Sequence, residues 1–357
     1  MNTYVDLVSD IKTSGFKSSP RGQEVTELLF KDLRVTNSET IVNSKFRNTA
    51  DSTTPEGRYL RAEFMWYMSG YLQPDYIARF GRMWDSLRNP KSERRYPPHE
   101  VKLHENKVNS NYGYHVFYKP VTEIPIYKYN LLRSYPDSPF SYVVRTLNRD
   151  PHSRQAIIQY TLPNIYEDGV RDFTCTQTQH FLTRNRKLYN LVHIRSSDAV
   201  KGLTFDIPWW DIVGQLLARV LGVQYGDMLV HIGSAHFYER DYDLIDNLLS
   251  DGVSWKRLLL KDQAELVKNV QAVSDGIATF FTSVYTESRR EIVALINSVY
   301  KLLNTDCNAE ATMHSHVIPA YLEIAQAFVY LASKFNVESN VCELYNNVFF
   351  NAMFDVV

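Results

Sequence analysis

Hydrophobic residues beyond position 250 recur every three to four positions, which is the spacing of one face of an α-helix. Proline and glycine, which interrupt helices, are scarce there: only Pro319, Gly252 and Gly276 occur. The spacing predicts a helical region over about residues 255–357. Its first apolar positions are Leu258, Leu259, Leu266, Val267, Val270, Val273, Ile277, Phe280, Phe281, Val284, Ile292, Leu295, Ile296, Val299 and Leu302.

Residues 1–250 instead mix short β-branched and aromatic runs with helical segments. The runs predict strands at Tyr142–Leu147, Ala156–Tyr160, Leu188–His193 and Met228–Ile232. Helices are expected at Tyr59–Ser69 and Ile212–Leu221, and the polar, proline-rich segment 87–100 predicts a loop. Strands and helices mixed without a regular βαβ rhythm indicate an α+β fold.

Composition narrows the functional classes. The 357 residues include 39 Lys and Arg against 40 Asp and Glu, a net charge of −1. A protein that binds nucleic acid over a broad surface needs an excess of basic residues, so we expect no direct nucleic-acid binding. A small anionic ligand needs only a few local arginines. The common GxGxxG, Walker and HExxH motifs are absent.

The chain also lacks the marks of secretion or membrane insertion. No run of about 18 apolar residues occurs, so we expect no membrane span. The N-terminus is charged throughout and has no apolar core of a signal peptide. The three cysteines, Cys175, Cys307 and Cys342, are too few and uneven for a disulfide framework, which predicts a cytoplasmic protein.

One cysteine stands among residues that suggest chemistry. Cys175 lies in DFTCTQTQHF, followed by RSSD at residues 195–198, GLTFD at 202–206 and GSAHFYERD, which contains His236. A lone cysteine is usually a small buried hydrophobe. A guanidinium such as that of Arg195, however, lowers a thiol pKa and favours the nucleophilic thiolate at neutral pH. Arginine is also a preferred partner for phosphate.

This series resembles the thymidylate synthase superfamily. The order Cys, RSxD, GxxF followed by Asn or Asp, and GxxHxY is typical of that family, and the similarity covers roughly residues 20–245. We therefore expect a thymidylate-synthase-type mixed sheet over residues 1–250, with a helical C-terminal extension over residues 251–357. Further matching segments are Pro20–Gly22, Ala62–Tyr67, Met83–Asp85, Asn111–Gly113 and Arg149–Gln155.

The resemblance implies catalytic roles. Cys175 would add to C6 of a pyrimidine nucleoside monophosphate, and C5 would then attack the methylene of the co-substrate 5,10-methylenetetrahydrofolate. Glu63 would relay protons through water, and Tyr112 would assist removal of the C5 proton. Arg195 would lower the pKa of the Cys175 thiol and would also bind the phosphate of the nucleotide. Read from residue types alone, Glu63 could equally be a charged position on an amphipathic helix.

The same resemblance implies phosphate-binding residues. Arg21, Arg195 and Ser196 would hold the 5′-phosphate, and Arg154 would be supplied by the other subunit of a homodimer. Any single arginine more often forms a surface salt bridge than binds a ligand. The motif spacing that these arginines share with the family favours phosphate binding instead. Gln155 stands where the family has a further arginine.

The resemblance also implies residues that bind the sugar and the folate. His236 and Tyr238 would hydrogen-bond the sugar hydroxyl, while Trp84 and Asp198 would lie near the pterin. The C-terminal tail that closes the family's site has no recognisable counterpart in this sequence.

The most informative departure is Asp206, where thymidylate synthases have asparagine. Cytosine presents an N4–H donor and an N3 acceptor. A protonated carboxyl group complements both, and an ionised carboxylate can accept from N4–H and from a protonated N3. Asp206 therefore favours cytosine and resembles the hydroxymethylase branch of the family, phage enzymes that act on dCMP. An alternative is that Asp206 only caps a helix before Pro208.

These observations predict a folate-dependent C5 hydroxymethyltransferase of dCMP. Two alternatives stay open. One is a C5 methylase that makes dTMP or 5-methyl-dCMP. The other is a catalytically silent nucleotide-binding protein, although Cys175, Arg195 and Glu63 together argue against it because binding alone needs neither a nucleophile nor a proton relay.

Overall fold

A mixed six-stranded sheet forms the centre of the computed structural model, which describes residues 3–36, 39–88, 106–121, 138–162, 165, 170–286, 292–294, 297 and 317–357. Its strands are β1 (Phe16–Ser18), β2 (Val25–Val35), β4 (Ile157–Gln159), β5 (Thr176–Arg184), β6 (Lys187–Asp198) and β7 (Gln224–Tyr238). The spatial order is β1-β2-β7-β6-β5-β4. Neighbours are antiparallel except β6 and β7, which are parallel.

Helices surround this sheet. They are α1 (Tyr4–Ser14), α2 (Pro55–Ser69), α3 (Met83–Ser86), α4 (Pro139–Arg149), α5 (Leu203–Val220), α6 (Tyr242–Asp251), α7 (Gln263–Val284), α8 (Ile318–Lys334) and α9 (Ser339–Met353). A parallel pair of strands needs a crossover connection, and α5 supplies it between β6 and β7. The α+β prediction is confirmed. None of the helices in the described ranges has the length and apolar character that a membrane crossing needs.

Among the described residues, the two faces of the sheet differ in burial. On β6, Leu188, Val192 and Ile194 are buried, while the intervening Tyr189 is 40% exposed and Leu191 is partly exposed. Helices α1 and α5 pack against the buried face. The strand alternation therefore divides the sheet into a core face and an open face.

One predicted strand is wrong. The run Tyr142–Leu147 lies inside helix α4. Ser138 caps this helix by accepting a hydrogen bond from the Ser141 backbone N–H, and Pro139 occupies its first turn. The buried residues Phe140, Val143, Val144 and Leu147 are spaced by three, one and three positions, which is a helical period and not the period of two that a half-buried strand needs.

The C-terminal region contains helices α7, α8 and α9 and also short strands that the helical prediction missed. Strand β8 (Ser254–Lys256) pairs with β3 (Ile41–Asn43), and β9 (Leu258–Leu260) pairs with β10 (Phe354–Val356). Residues 298–316, together with the predicted helical positions Leu295 and Ile296, lie outside the described residues, as do residues 89–100 of the predicted loop.

Helix α2 is buried from Leu60 to Ser69 because α8 and α9 pack against it. The ring of Phe64 contacts Phe350 and Phe354 at centroid distances of 5.4 and 5.5 Å. Residues on both sides of position 250 thus contribute to one hydrophobic core. The division into a domain over residues 1–250 and an extension over 251–357 stays a prediction.

Candidate active site

One end of the sheet gathers most of the predicted site residues. Strands β6 and β7 run in parallel and end together, with Ser196 opposite Ser234 and Asp198 opposite His236. Cys175 immediately precedes β5, whose first residue, Thr176, pairs with Ile194 of β6. This arrangement brings six of the predicted site residues to the same end of the sheet: Cys175, Arg195, Ser196, Asp198, His236 and Tyr238.

Arg195 holds the loop that carries Cys175. Its Nη2 lies 3.5 Å from the Cys175 Sγ and 2.6 Å from the Phe173 carbonyl oxygen, and its Nε donates to the Thr174 carbonyl at 3.1 Å. The Arg195 backbone N–H also donates to the Cys175 carbonyl at 2.9 Å. The guanidinium therefore fixes the position of the sulfur as well as supplying a positive charge beside it.

The charge of Arg195 does not make Cys175 a thiolate. Burial raises the pKa of the Cys175 thiol to about 11, and the positive charges of Arg195 and Arg21 offset only part of that rise, while Asp206 and Asp172 add to it. The expectation of a thiolate at neutral pH is therefore wrong for this geometry. The thiol is protonated and must lose its proton as the sulfur attacks.

Asp172 ties the Cys175 loop to the segment that carries Tyr112. Its buried carboxylate accepts hydrogen bonds from the backbone N–H groups of Asn109 and Ser110 at 2.6 and 2.7 Å, and from the Ser110 hydroxyl at 2.6 Å. Asn109 Nδ2 donates to the Asp172 carbonyl at 2.9 Å. These bonds hold two loops that are far apart in sequence side by side.

Tyr112 packs between that loop and helix α2. Its ring stacks on Tyr67 with centroids 5.3 Å apart, and its hydroxyl accepts the Thr176 backbone N–H at 3.3 Å. The next residue must be glycine, because a Cβ on Gly113 would lie 1.7 Å from the Tyr67 carbonyl oxygen. Burial raises the pKa of Tyr112 well above its usual range, so the phenol is neutral.

Glu63 is a buried carboxyl group on α2. It is 6% exposed, and burial raises its pKa to about 7, although hydrogen bonds from the side chains of Tyr59 and Tyr67 oppose the rise. The Tyr59 hydroxyl donates to Glu63 Oε1 at 2.8 Å. A carboxyl group that titrates near neutral pH can both take up and release protons under ordinary conditions.

Asp206 faces the same space from the first turn of α5. The N-cap of that helix is Gly202, and the Asp206 side chain makes no capping bond, so the alternative that Asp206 is the N-cap before Pro208 is wrong. Burial, together with the charges of Glu63 and Asp198, raises the pKa of Asp206 well above its ordinary value. This shift favours the protonated form of the half-buried Asp206 carboxyl group, a form that can donate one hydrogen bond and accept others.

The family model described as thymidylate synthase matches residues 2–277 of the chain. The chain belongs to the thymidylate synthase family. It is a one-carbon transferase, and the predicted resemblance is confirmed.

Similar members of the thymidylate synthase family include phage enzymes. The chain is 28% identical over 206 residues to the deoxycytidylate 5-hydroxymethyltransferases of Enterobacteria phages T2 and T4, covering 54% of this chain and 72% of theirs. It is 30% identical over 170 residues to a putative thymidylate synthase of Methanocaldococcus jannaschii, covering 44% of this chain and 75% of that protein.

The predicted phosphate residues fall into two groups in this thymidylate synthase family member. Arg21 precedes β2 in a left-handed conformation (φ 54°), and its charge acts on Cys175 and Tyr238. Arg21 thus lies near Arg195 and Ser196, at the end of the sheet where Cys175 lies. Arg154 does not: it is exposed, and its backbone carbonyl accepts a hydrogen bond from His180 on β5.

The remaining predicted residues lie around the same edge. The rings of His236 and Tyr238 contact each other with centroids 5.5 Å apart. Asp198 Oδ1 accepts the backbone N–H groups of Val200 and Lys201 at 2.9 Å each, which shapes the turn into α5. Trp84 on α3 is buried, and its indole N–H donates to the Tyr59 hydroxyl at 2.9 Å.

Sequence reasoning missed Tyr59, Tyr67 and Asp172. Tyr59 and Tyr67 lie four residues before and after Glu63, a spacing that puts residues on one face of a helix, so both could have been found by extending the helical pattern. Asp172 gave no such signal, because its partners lie about 60 residues away. Among the described residues no group of His, Cys, Asp or Glu is arranged to hold a metal ion.

Proposed function

We propose that this protein transfers the one-carbon unit of 5,10-methylenetetrahydrofolate to C5 of dCMP and completes it with water, giving 5-hydroxymethyl-dCMP and tetrahydrofolate. The observation that carries the proposal is the Asp206 carboxyl group, which lies near Cys175 and whose raised pKa favours its protonated form. Its O–H matches cytosine N3 and its carbonyl oxygen matches the N4–H group. The similarity to phage deoxycytidylate 5-hydroxymethyltransferases supports the same choice of base.

The chemistry assigned to the side chains follows from their positions. The Cys175 sulfur bonds to C6 as the thiol proton passes to a base, and C5 becomes nucleophilic. C5 then bonds to the folate methylene carbon as the bond from that carbon to one folate nitrogen breaks, and C5 loses its proton, with Tyr112 and Glu63 at the proton-transfer positions. The bond from the methylene carbon to the second folate nitrogen then breaks, so that tetrahydrofolate departs and an exocyclic methylene remains at C5. Water adds to that carbon, and the Cys175 sulfur departs as a thiol.

Binding roles are assigned on the same basis. Arg21, Arg195 and Ser196 would surround the 5′-phosphate, and the positive charges near Cys175 suit an anion there. His236 and Tyr238 would meet the sugar, while Trp84 and Asp198 would border the folate. These assignments follow the resemblance and the shared edge of the sheet.

Turnover in oxygen-18 water tests the product. With dCMP and methylenetetrahydrofolate we expect a product that carries one heavy oxygen in its new hydroxymethyl group, and no rise in dihydrofolate absorbance. A methylase transfers hydride from the folate instead of adding water. Product without heavy oxygen, formed with an equal amount of dihydrofolate, would reject the proposal in favour of a C5 methylase.

We also infer a homodimer in which Arg154 reaches the partner's site. On the open face of the sheet, Ile157, Leu191 and Leu229 lie in one cross-strand register together with His180, and Tyr189 lies two residues before Leu191. Arg154 lies exposed beside the β4 edge of that face. Partly exposed apolar side chains on a sheet face are suited to pairing with a second copy. The partner's Arg154 would then supply the phosphate contact that this chain does not make within itself.

Subunit mixing tests the shared site. Arg154→Ala and Cys175→Ala homodimers are both expected to be inactive or nearly so. Mixed one to one and allowed to exchange, they should recover about one quarter of wild-type activity, because half the dimers are mixed and each has one intact site. Sedimentation checks that the variants stay dimeric. A monomer in sedimentation, or no recovery after proven exchange, would contradict the inference.

A further inference from the structure

The hydroxyl group of Tyr59 connects two parts of the site that the sequence motifs treat separately. It donates to Glu63 Oε1 at 2.8 Å and accepts the indole N–H of Trp84 at 2.9 Å. The Tyr59 ring rests against Phe205, with centroids 4.7 Å apart, next to Asp206. The Tyr59 hydroxyl therefore hydrogen-bonds both to Glu63, the proposed proton relay, and to Trp84, which lies on the proposed folate side.

The direction of these hydrogen bonds is fixed by their chemistry. An indole N–H can only donate, so the Tyr59 oxygen must be its acceptor. The phenol has a single proton, which is then directed at Glu63. Burial raises the pKa of Tyr59 well above its usual range, so that proton is not lost under ordinary conditions.

We propose that Tyr59 is a positioning residue for Glu63: it orients the carboxyl group and stabilises its ionised form, so that Glu63 can take up a proton during turnover. The proposal deepens the proposed function and rests on it for the role of Glu63. No motif of the family resemblance includes Tyr59.

The groups that face Glu63 from neighbouring elements make the effect measurable. Tyr67 donates from the same helix, and Asp206 opposes Glu63 electrostatically from α5. Arg47, buried and placed over Phe205 at 4.5 Å, acts on Tyr59 from the other side. Burial sets the pKa of Glu63 at about 7, and Tyr59 is one of two donors that keep it from rising further. Removing that donor must raise the value.

The test is a titration of Glu63 in Tyr59→Phe. Protein labelled with carbon-13 at the glutamate carboxyl carbon is titrated by NMR, and Glu63→Gln identifies the signal. We expect the Glu63 pKa to rise by about one unit in Tyr59→Phe, the effect of one lost hydrogen bond to a charged group. The acidic limb of the kcat profile for dCMP should move to higher pH by the same amount. Tyr71→Phe is the matched control, because Tyr71 stacks on Tyr330, and should leave both values unchanged.

Two further variants separate positioning from general damage. Trp84→Phe removes the indole donor but leaves the Tyr59 hydroxyl, so the Glu63 pKa should move much less than in Tyr59→Phe. A fluorinated tyrosine at position 59, which is a stronger hydrogen-bond donor in a full-sized side chain, should lower the Glu63 pKa. This variant serves where Tyr59→Phe does not fold.

The outcomes distinguish this proposal from the proposed function. An unchanged Glu63 pKa in Tyr59→Phe, or in the fluorinated protein, overturns the positioning role whatever the enzyme makes. A shifted pKa with no shift in the kcat profile overturns it as well. A shifted pKa in a protein whose wild type does not convert dCMP rejects the proposed function and leaves the contact between Tyr59 and Glu63 established.

Discussion

Cys175→Ala is expected to lower turnover of dCMP by at least about 10⁴-fold, because the covalent bond to C6 is what makes C5 a nucleophile. Binding of the nucleotide should change little, since the proposed phosphate and base contacts come from other side chains. The alanine also leaves the backbone bond from the Arg195 N–H to residue 175 in place. Tetrahydrofolate release measures turnover, and calorimetric titration with dCMP measures binding.

The matched control is Cys342→Ala. Cys342 is a buried cysteine in α9, packed beside Arg79, and its helix packs against α2, α7 and β10. We expect nearly normal turnover, as for replacement of Cys307, which lies outside the described residues. Normal turnover in Cys175→Ala would show that no covalent step through this residue occurs.

Asp206→Asn is expected to shift the ratio of kcat/KM for dCMP over dUMP toward dUMP by about ten- to hundredfold. The amide offers a donor and an acceptor that suit the uracil edge, and each mismatched group on a buried polar edge costs about 1–3 kcal/mol. The raised pKa of Asp206 is part of the argument, because only the protonated acid can donate to cytosine N3.

A neighbouring aspartate gives the control for this exchange. Asp211 is buried on the same helix, burial raises its pKa to about 7, and it accepts a hydrogen bond from Gln215 at 2.7 Å. Asp211→Asn should leave the ratio for the two nucleotides unchanged. Equal ratios for wild type and Asp206→Asn would mean that Asp206 does not read the base.

The sequence indicated which candidate side chains lie near one another better than it indicated their electrostatics. The motif order indicated that Cys175, Arg195 and His236 lie together: Cys175 directly precedes β5, and Arg195 and His236 lie in the last residues of β6 and β7, at the same end of the sheet. The protonation state of Cys175 could not be predicted in the same way. It depends on how deeply the loop is buried, and burial outweighs the arginine charge that the sequence shows.

The errors in secondary structure have a related cause. Tyr142–Leu147 is rich in residues that favour strands, yet the cap at Ser138 and the apolar spacing favour the helix that forms. The β9–β10 ribbon joins residues nearly 100 positions apart, so no local pattern indicates it. The position of Arg154 outside the site of its own chain likewise depends on the sheet, not on its motif.

The burial of α2 has a consequence for how the protein becomes active. This helix carries Glu63, and its other faces are completed by α8 and α9, including a hydrogen bond between Tyr76, just beyond the helix, and Asn346. The contact between Tyr76 and Asn346 closes a loop of about 270 positions. Closing so long a loop costs conformational entropy before the contact can stabilise the fold. On a ribosome, residues 318–353 emerge last among these elements, after the Cys175 loop and the whole central sheet. Until then α2 lacks its packing against α8 and α9, so the helix that carries Glu63 reaches its final packing only after Cys175 and the central sheet have been synthesised.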